Sequence, residues 1–246
     1  GYFNREGLRL VEFPVFNLFH FLLVKALPNI SFDSLGRLTS VIFSVFSSFF
    51  LFFIGKRYLG KWGGLLSSFL FLFIPFNIYF SRVVLPEPLC VFFSLFSLWL
   101  FIKYIDSEKA IYLFISGIIF SLALLIKPFA LFYAFPMVYL LLNKYGMKKI
   151  FITPKLLISL LVFTDLVLVP LLLWRGWIGK HPEGIPYFTW AFDGDLIRFR
   201  PAFWRWIFGE RIGRLILGIW GLIPFIIGVM AKKKSYLNLS LMLGAL

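Results

Sequence analysis

Residues 110–142 read AIYLFISGIIFSLALLIKPFALFYAFPMVYLLL, a stretch whose one charge is Lys127. Two architectures fit it. One is a single helix kinked near Pro128; the other is two spans meeting at Lys127-Pro128, with Lys127 at the tip. A proline disfavours helical geometry at the residue before it, which helps a break at Lys127. The choice sets the side of everything downstream. In a hairpin, Asn143-Lys144-Tyr145-Gly146-Met147-Lys148-Lys149 falls on the same side as Lys56-Arg57-Tyr58-Leu59-Gly60-Lys61. In a single helix it falls on the opposite side. Short basic loops collect on the cytoplasmic side of a membrane, so the hairpin is expected, with Lys127 outside.

Working outward, further apolar runs read as Gly36–Ile54, Gly63–Phe80, Glu87–Tyr104, Ala110–Ile126, Phe129–Leu142, Leu156–Trp174 and Ile212–Ala231, with another beginning near Tyr236. Each complete run lies within or just short of the ~17–25 residues that cross a bilayer. The runs are continuously apolar rather than alternating, which implies helices and not a barrel. Hydrophobic residues make up 61% of the chain and mean hydropathy is +0.91. Soluble domains hold about 45–50% apolar residues, so that class is excluded. The expected fold is all-α, a polytopic transmembrane bundle of about seven complete spans. Val11–Leu27 is too short to span; it contains His20 and ends at Lys25 and Pro28, so an interfacial helix on the outer leaflet is expected. The chain then divides into an outer loop with that helix (1–35), six spans (36–174), a second outer loop (175–211) and further spans (212–246). These form a single domain read as truncated at both ends.

The net charge of +14 would point to nucleic acid in a soluble chain. Here Lys and Arg lie at span ends, where they set topology and meet anionic headgroups, so membrane lipids are the expected partners and nucleic acid is not. Lys56, Arg57, Lys61, Lys103, Lys109, Lys144, Lys148, Lys149, Lys155 and Lys232 to Lys234 sort to one side. Arg82 and Lys127 sort to the other, with most of the acids and the Arg-rich segment 175–211. The single Cys90 excludes an intrachain disulfide and a thiolate metal cluster.

Isolated charges beside prolines are the candidate site. In Ser81-Arg82-Val83-Val84-Leu85-Pro86-Glu87-Pro88, Glu87 opens a span. It is either an acid favoured by a helix N-terminus or a functional carboxylate at the membrane edge. Glu12, in Glu12-Phe13-Pro14, offers a second carboxylate on the same face. The two acids could share an acceptor hydroxyl or a divalent ion (Mg²⁺, Mn²⁺ or Zn²⁺). A lysine at the bilayer centre costs about 2.5–3.5 kcal/mol, so Lys127 is expected to reach the interface. There it either snorkels to any lipid phosphate or holds one phospholipid substrate; Arg82 poses the same choice. His181 is a candidate loop ligand or base, although an exposed loop histidine is usually neither. Asp165, mid-span, either pairs with a neighbouring helix or marks a polar cavity. No zinc-protease, nucleotide-binding or serine-nucleophile motif is present.

Taken in order, Glu12-Phe13-Pro14, Gly36-Arg37-Leu38, Gly55-Lys56-Arg57-Tyr58-Leu59-Gly60, Pro75 with Ser81-Arg82 and Pro86-Glu87, and Leu125-Ile126-Lys127-Pro128 resemble a GT-C membrane glycosyltransferase. The resemblance covers about Gly1–Leu142. It is to the dolichyl-phosphate-mannose protein mannosyltransferase and aminoarabinose transferase superfamily, glycosyltransferase family 39. It implies a polyprenyl-phosphate sugar donor and single-displacement transfer with inversion at the anomeric carbon. The acceptor would be a protein, lipid or glycan, reached on the extracytoplasmic face of the cytoplasmic (plasma) membrane. It also implies a general base in a loop after a first span, expected upstream of Gly1. Glu12 would match the acid of a Glu-x-Pro element, with Phe13 where relatives often carry Lys. Glu87 would stand where relatives commonly have Asp, orienting acceptor or metal. Lys127 and Arg82 would hold the donor phosphate. Two other classes compete. A transporter or flippase of lipid-linked sugars needs polar residues along a deep path, and only Asp165 offers one. A non-catalytic scaffold leaves the clustered outer acids unexplained.

Overall fold

The computed structural model describes residues 12–180 and 196–218, together with 221, 223, 226 and 227. All regular structure among them is helical. Helix α1 (Val15–Ala26) follows Pro14 and is too short to cross a bilayer. Helix α2 (Phe32–Phe73) starts at Ser31, whose hydroxyl accepts the Ser34 N–H at 3.4 Å, with Asp33 favourably placed in the first turn.

The 42 residues of α2 do not form one rod. Gly60 has φ +76° and ψ −178°, a conformation open essentially to glycine, and the chain folds back there. Ser68 Oγ donates to the Ser48 carbonyl at 2.6 Å, and a Cβ on Gly55 would lie 2.9 Å from Gly64 Cα. Small residues let two membrane helices approach this closely. The basic run 56–61 therefore forms the tip of a helical hairpin.

After α3 (Pro75–Phe80) and a turn come α4 (Glu87–Ser107) and α5 (Ala110–Ile126), then a 3-10 turn over Pro128–Tyr133. Next are α6 (Ala134–Ile152), bent at Gly146, and α7 (Pro154–Ile178). Further on, a 3-10 turn at Ile197–Phe199 leads to α8 (Pro201–Arg205) and a π-helical stretch, Trp206–Ile216, that packs on α3. Helix α4 is the most enclosed element, set between α2 and α5, with α7 on the far side of α5. Ser97 and Ser116 each donate to the other's carbonyl at 2.9 Å, so the α4 and α5 backbones pack closely. Leu89, Leu98, Phe120 and Leu124 fill the contact.

Among the described residues, three helices are long and apolar enough to cross a membrane: Phe32–Phe73, which folds back at Gly60, Glu87–Ser107 and Pro154–Ile178. These helices do not establish the expected seven spans, and prolines shape two of the expected runs. Pro75 interrupts the run 63–80 after Phe73, and Pro128 turns the start of 129–142 into a 3-10 segment, because neither ring fits a helix interior. Helix α5 has 17 residues, and the run from Ile212 begins inside the π-helical stretch. Helix α7 runs on to Ile178, past the Trp174 that ends the apolar run.

Lys127 lies against Glu87, at the start of α4, whereas Lys144 lies against Ile105 and Glu108, at its end. The chain thus reverses between them, and 110–142 forms a hairpin tipped by Lys127.

Candidate active site

Three separate segments bring their charges together at the start of α4. Lys127 sits in the break after α5 with φ −142° and ψ 117°, the extended geometry that Pro128 favours. Its N–H still closes the helix on the Ala123 carbonyl at 2.9 Å. The strand-like approach to α1 is pinned to the same place, because Phe13 N–H donates to the Leu125 carbonyl at 3.0 Å. That bond brings Glu12 beside Lys127. Glu87 is the first residue of α4, where the helix dipole favours a carboxylate, and Pro88 occupies a first-turn position whose missing N–H costs nothing. The turn before it is tied down by Ser40 Oγ, which donates to the Val83 carbonyl at 2.7 Å. Ser44 Oγ donates to Asn77 Oδ1 at 2.8 Å, anchoring α3 as well.

The Lys127 ammonium bridges Glu12 Oε1 and Glu87 Oε1, the latter at 3.2 Å. Side-chain exposures of 30%, 31% and 36% for Lys127, Glu12 and Glu87 place the triad at the edge of the bundle, open on one side. Burial works against the charge on Lys127. The hydrogen bond to Glu12 and the attraction of both carboxylates outweigh it and hold its pKa above the ordinary lysine value. Glu87 Oε2 is buried with no hydrogen-bond partner among the described residues.

Other expected site residues stand apart. Arg82 is exposed and pairs with no carboxylate among the described residues; the structure does not bring it into the triad. His181 lies outside the described residues. His20 is buried between the Phe16 and Phe32 rings, with Nε2 2.9 Å from the Phe32 carbonyl, so it ties α1 to α2. Asp165 is exposed on α7 and pairs with no charged side chain of a neighbouring helix among the described residues. A divalent ion fits poorly. Glu12 and Glu87 already converge on an ammonium, and no third His, Cys, Asp or Glu joins them among the described residues.

Trp174 and Trp177 escaped the sequence reading as site residues. Phe13 turns its ring onto Trp174, edge to face at 4.9 Å, and Trp174 stacks on Trp177 at 4.9 Å. Trp174 Nε1 is buried and unpartnered among the described residues. A tryptophan ending an apolar run ordinarily reads as an interfacial anchor, so no local signal marks this corner.

A family model described as dolichyl-phosphate-mannose-protein mannosyltransferase matches residues 18–174, a stretch that contains Glu87 and Lys127 and ends on Trp174. No curated protein matches the chain, and no solved structure matches it. Apolar helices, a carboxylate–lysine cluster at one end of the bundle and the family match agree: the chain belongs to the dolichyl-phosphate-mannose-protein mannosyltransferase family, integral membrane glycosyltransferases of the GT-C type.

Proposed function

We propose that this protein transfers a sugar from a polyprenyl-phosphate donor to an acceptor hydroxyl on the extracytoplasmic side of the cytoplasmic membrane. The observation that carries the reading is the Lys127 ammonium held between Glu12 and Glu87. These three charges sum to minus one. A further anion is repelled by that net charge, so an incoming phosphate is best accommodated at Lys127 by displacing a carboxylate from it. Arg82, exposed in the turn before Glu87, supplies a second positive charge to that phosphate.

The displaced carboxylate is then a free base next to the bound donor. In the reaction the acceptor oxygen bonds to the anomeric carbon while the bond from that carbon to the phosphate oxygen breaks. The bonding pair leaves with the polyprenyl phosphate, and the acceptor proton passes to a carboxylate. Lys127, fixed between the two acids, stabilises the charge that grows on the leaving phosphate, and a fixed cation of this kind is worth about 10²–10³-fold in rate; the exposed Arg82 adds its charge from the neighbouring turn. Glu87 and Glu12 position the acceptor hydroxyl or take its proton, a role typically worth about 10²–10⁴-fold. A divalent ion at these carboxylates would have to displace Lys127 first, and every step above runs through side chains alone. The acceptor is any protein, lipid or glycan hydroxyl that reaches this edge.

Replacing Glu87 tests the assignment. In liposomes with polyprenyl-phosphate mannose and a membrane acceptor fraction, Glu87→Gln should lower turnover at least about 100-fold with normal expression. Unchanged turnover would remove Glu87 from the site.

A further inference from the structure

Glu87 Oε2 and Trp174 Nε1 are the two buried side-chain polar atoms without a partner among the described residues. One is an acceptor and the other a donor. Both reach the same short segment, Glu87 through Lys127 and Glu12, and Trp174 through Phe13. Buried polar groups are nearly always hydrogen-bonded, so an unpaired pair around one segment suits a ligand that brings its own hydroxyls.

The surroundings of Trp174 narrow the ligand. Its ring stacks on Trp177 with planes 22° apart, and Phe13 meets it edge-on at 83°. Trp177 is 43% exposed, so the stack opens outward on one side. Sites of this make-up, aromatic walls with a few polar atoms, suit small molecules carrying both apolar faces and hydrogen-bonding edges. A pyranose has that chemistry: C–H groups cover its faces and hydroxyls ring its edge. A tryptophan that merely anchors a helix at the headgroups keeps its N–H wet, whereas the Trp174 N–H is buried.

We propose that the Phe13–Trp174–Trp177 corner seats the sugar of the lipid-linked donor. The Trp174 N–H donates to a sugar oxygen while Lys127 holds the adjoining phosphate. The inference rests on the donor-phosphate reading above and adds a specificity-determining contact to it. It also assigns a use to Phe13, which stands where the resemblance expects lysine.

The test separates the two ideas by splitting the ligand. The full chain in nanodiscs is titrated with undecaprenyl phosphate, undecaprenyl-phosphate mannose and undecaprenyl-phosphate glucose. The wild type should bind at least one sugar-bearing lipid more tightly than the bare phosphate. Trp174→Phe keeps an aromatic ring, though a smaller one, and removes the N–H, so it should cut that sugar-dependent gain at least about five-fold, as for one hydrogen bond. Trp174→Ala should abolish the gain, while both variants bind bare undecaprenyl phosphate as the wild type does. Lys127→Ala should weaken all three lipids alike. Persistence of the gain in both Trp174 variants overturns the sugar site, as does a wild type that gains nothing from either sugar. If the wild type binds none of the lipids, the phosphate reading falls and takes this inference with it.

Discussion

The two ends of α4 carry the same kinds of side chain and use them differently. At the Ser107 end, Arg57 pairs with Asp106, and Lys144 pairs with Glu108 at 2.7 Å. Tyr145 OH also donates to Glu108 at 3.2 Å, and Lys144 reaches the Ile105 carbonyl. Each acid there has its own cation, and Glu108 is 61% exposed. At the Glu87 end two acids share one lysine, and a carboxylate oxygen and an indole N–H are left over. Stoichiometry separates the roles. A cluster that satisfies itself can clip helices together, and exposed pairs of that kind contribute little beyond it. A cluster that leaves buried groups unpaired has capacity for a ligand.

The sharpest way to break this comparison is to remove one lysine from each end. Lys127→Met should lower glycosyl transfer about 10²–10³-fold, whereas Lys144→Met should leave it within about three-fold in the same liposome assay. Comparable losses at both ends would show that α4 has no functional polarity.

Gly60 tests the basic end as scaffold. A side chain at φ +76° and ψ −178° is strained, so Gly60→Ala should cost about 1–3 kcal/mol. It should lower the thermal midpoint yet leave turnover at permissive temperature near wild type. A loss of turnover without a fall in the midpoint would tie the α2 tip to chemistry.

The smallest effect is expected at Glu108. The hydrogen bond from Lys144, then that from Tyr145, holds its carboxyl below the ordinary value of 4.5. A depressed carboxylate stabilises the fold above the unfolded value, and the benefit fades as pH falls through the folded one. Glu108→Gln should therefore melt slightly earlier than wild type at pH 7, with the two curves converging below about pH 4.5. A constant gap across pH would place the effect in packing instead.

The triad was legible because charge is rare in an apolar chain. Lys127 alone interrupts 110–142, Glu87 lies between two prolines and Glu12 stands two residues before one. Placing all three on one face followed from parity along the chain, and their convergence on one ammonium agrees with it. Arg82 looked equal to Lys127 by the same logic, and it stands exposed in the turn before Glu87, outside the triad. Asp165, read mid-span as either a partner for a neighbouring helix or the mark of a polar cavity, is exposed on α7, since helix periodicity and not neighbour polarity decides facing.

By itself the sequence determined the class and the ends. Long apolar runs demand helices, because an unpaired backbone polar group in hydrocarbon is too costly. Charges beside prolines mark where several of those helices stop, although α7 holds both Asp165 and Pro170 within its length. The tertiary structure alone decided what meets at those ends. It folded α2 at Gly60, drew one lysine between two acids and set Trp174 against Phe13. Such contacts join segments far apart in the chain, and no local propensity encodes them. They follow from how closely small residues such as Gly55, Gly64, Ser97 and Ser116 let neighbouring helices approach.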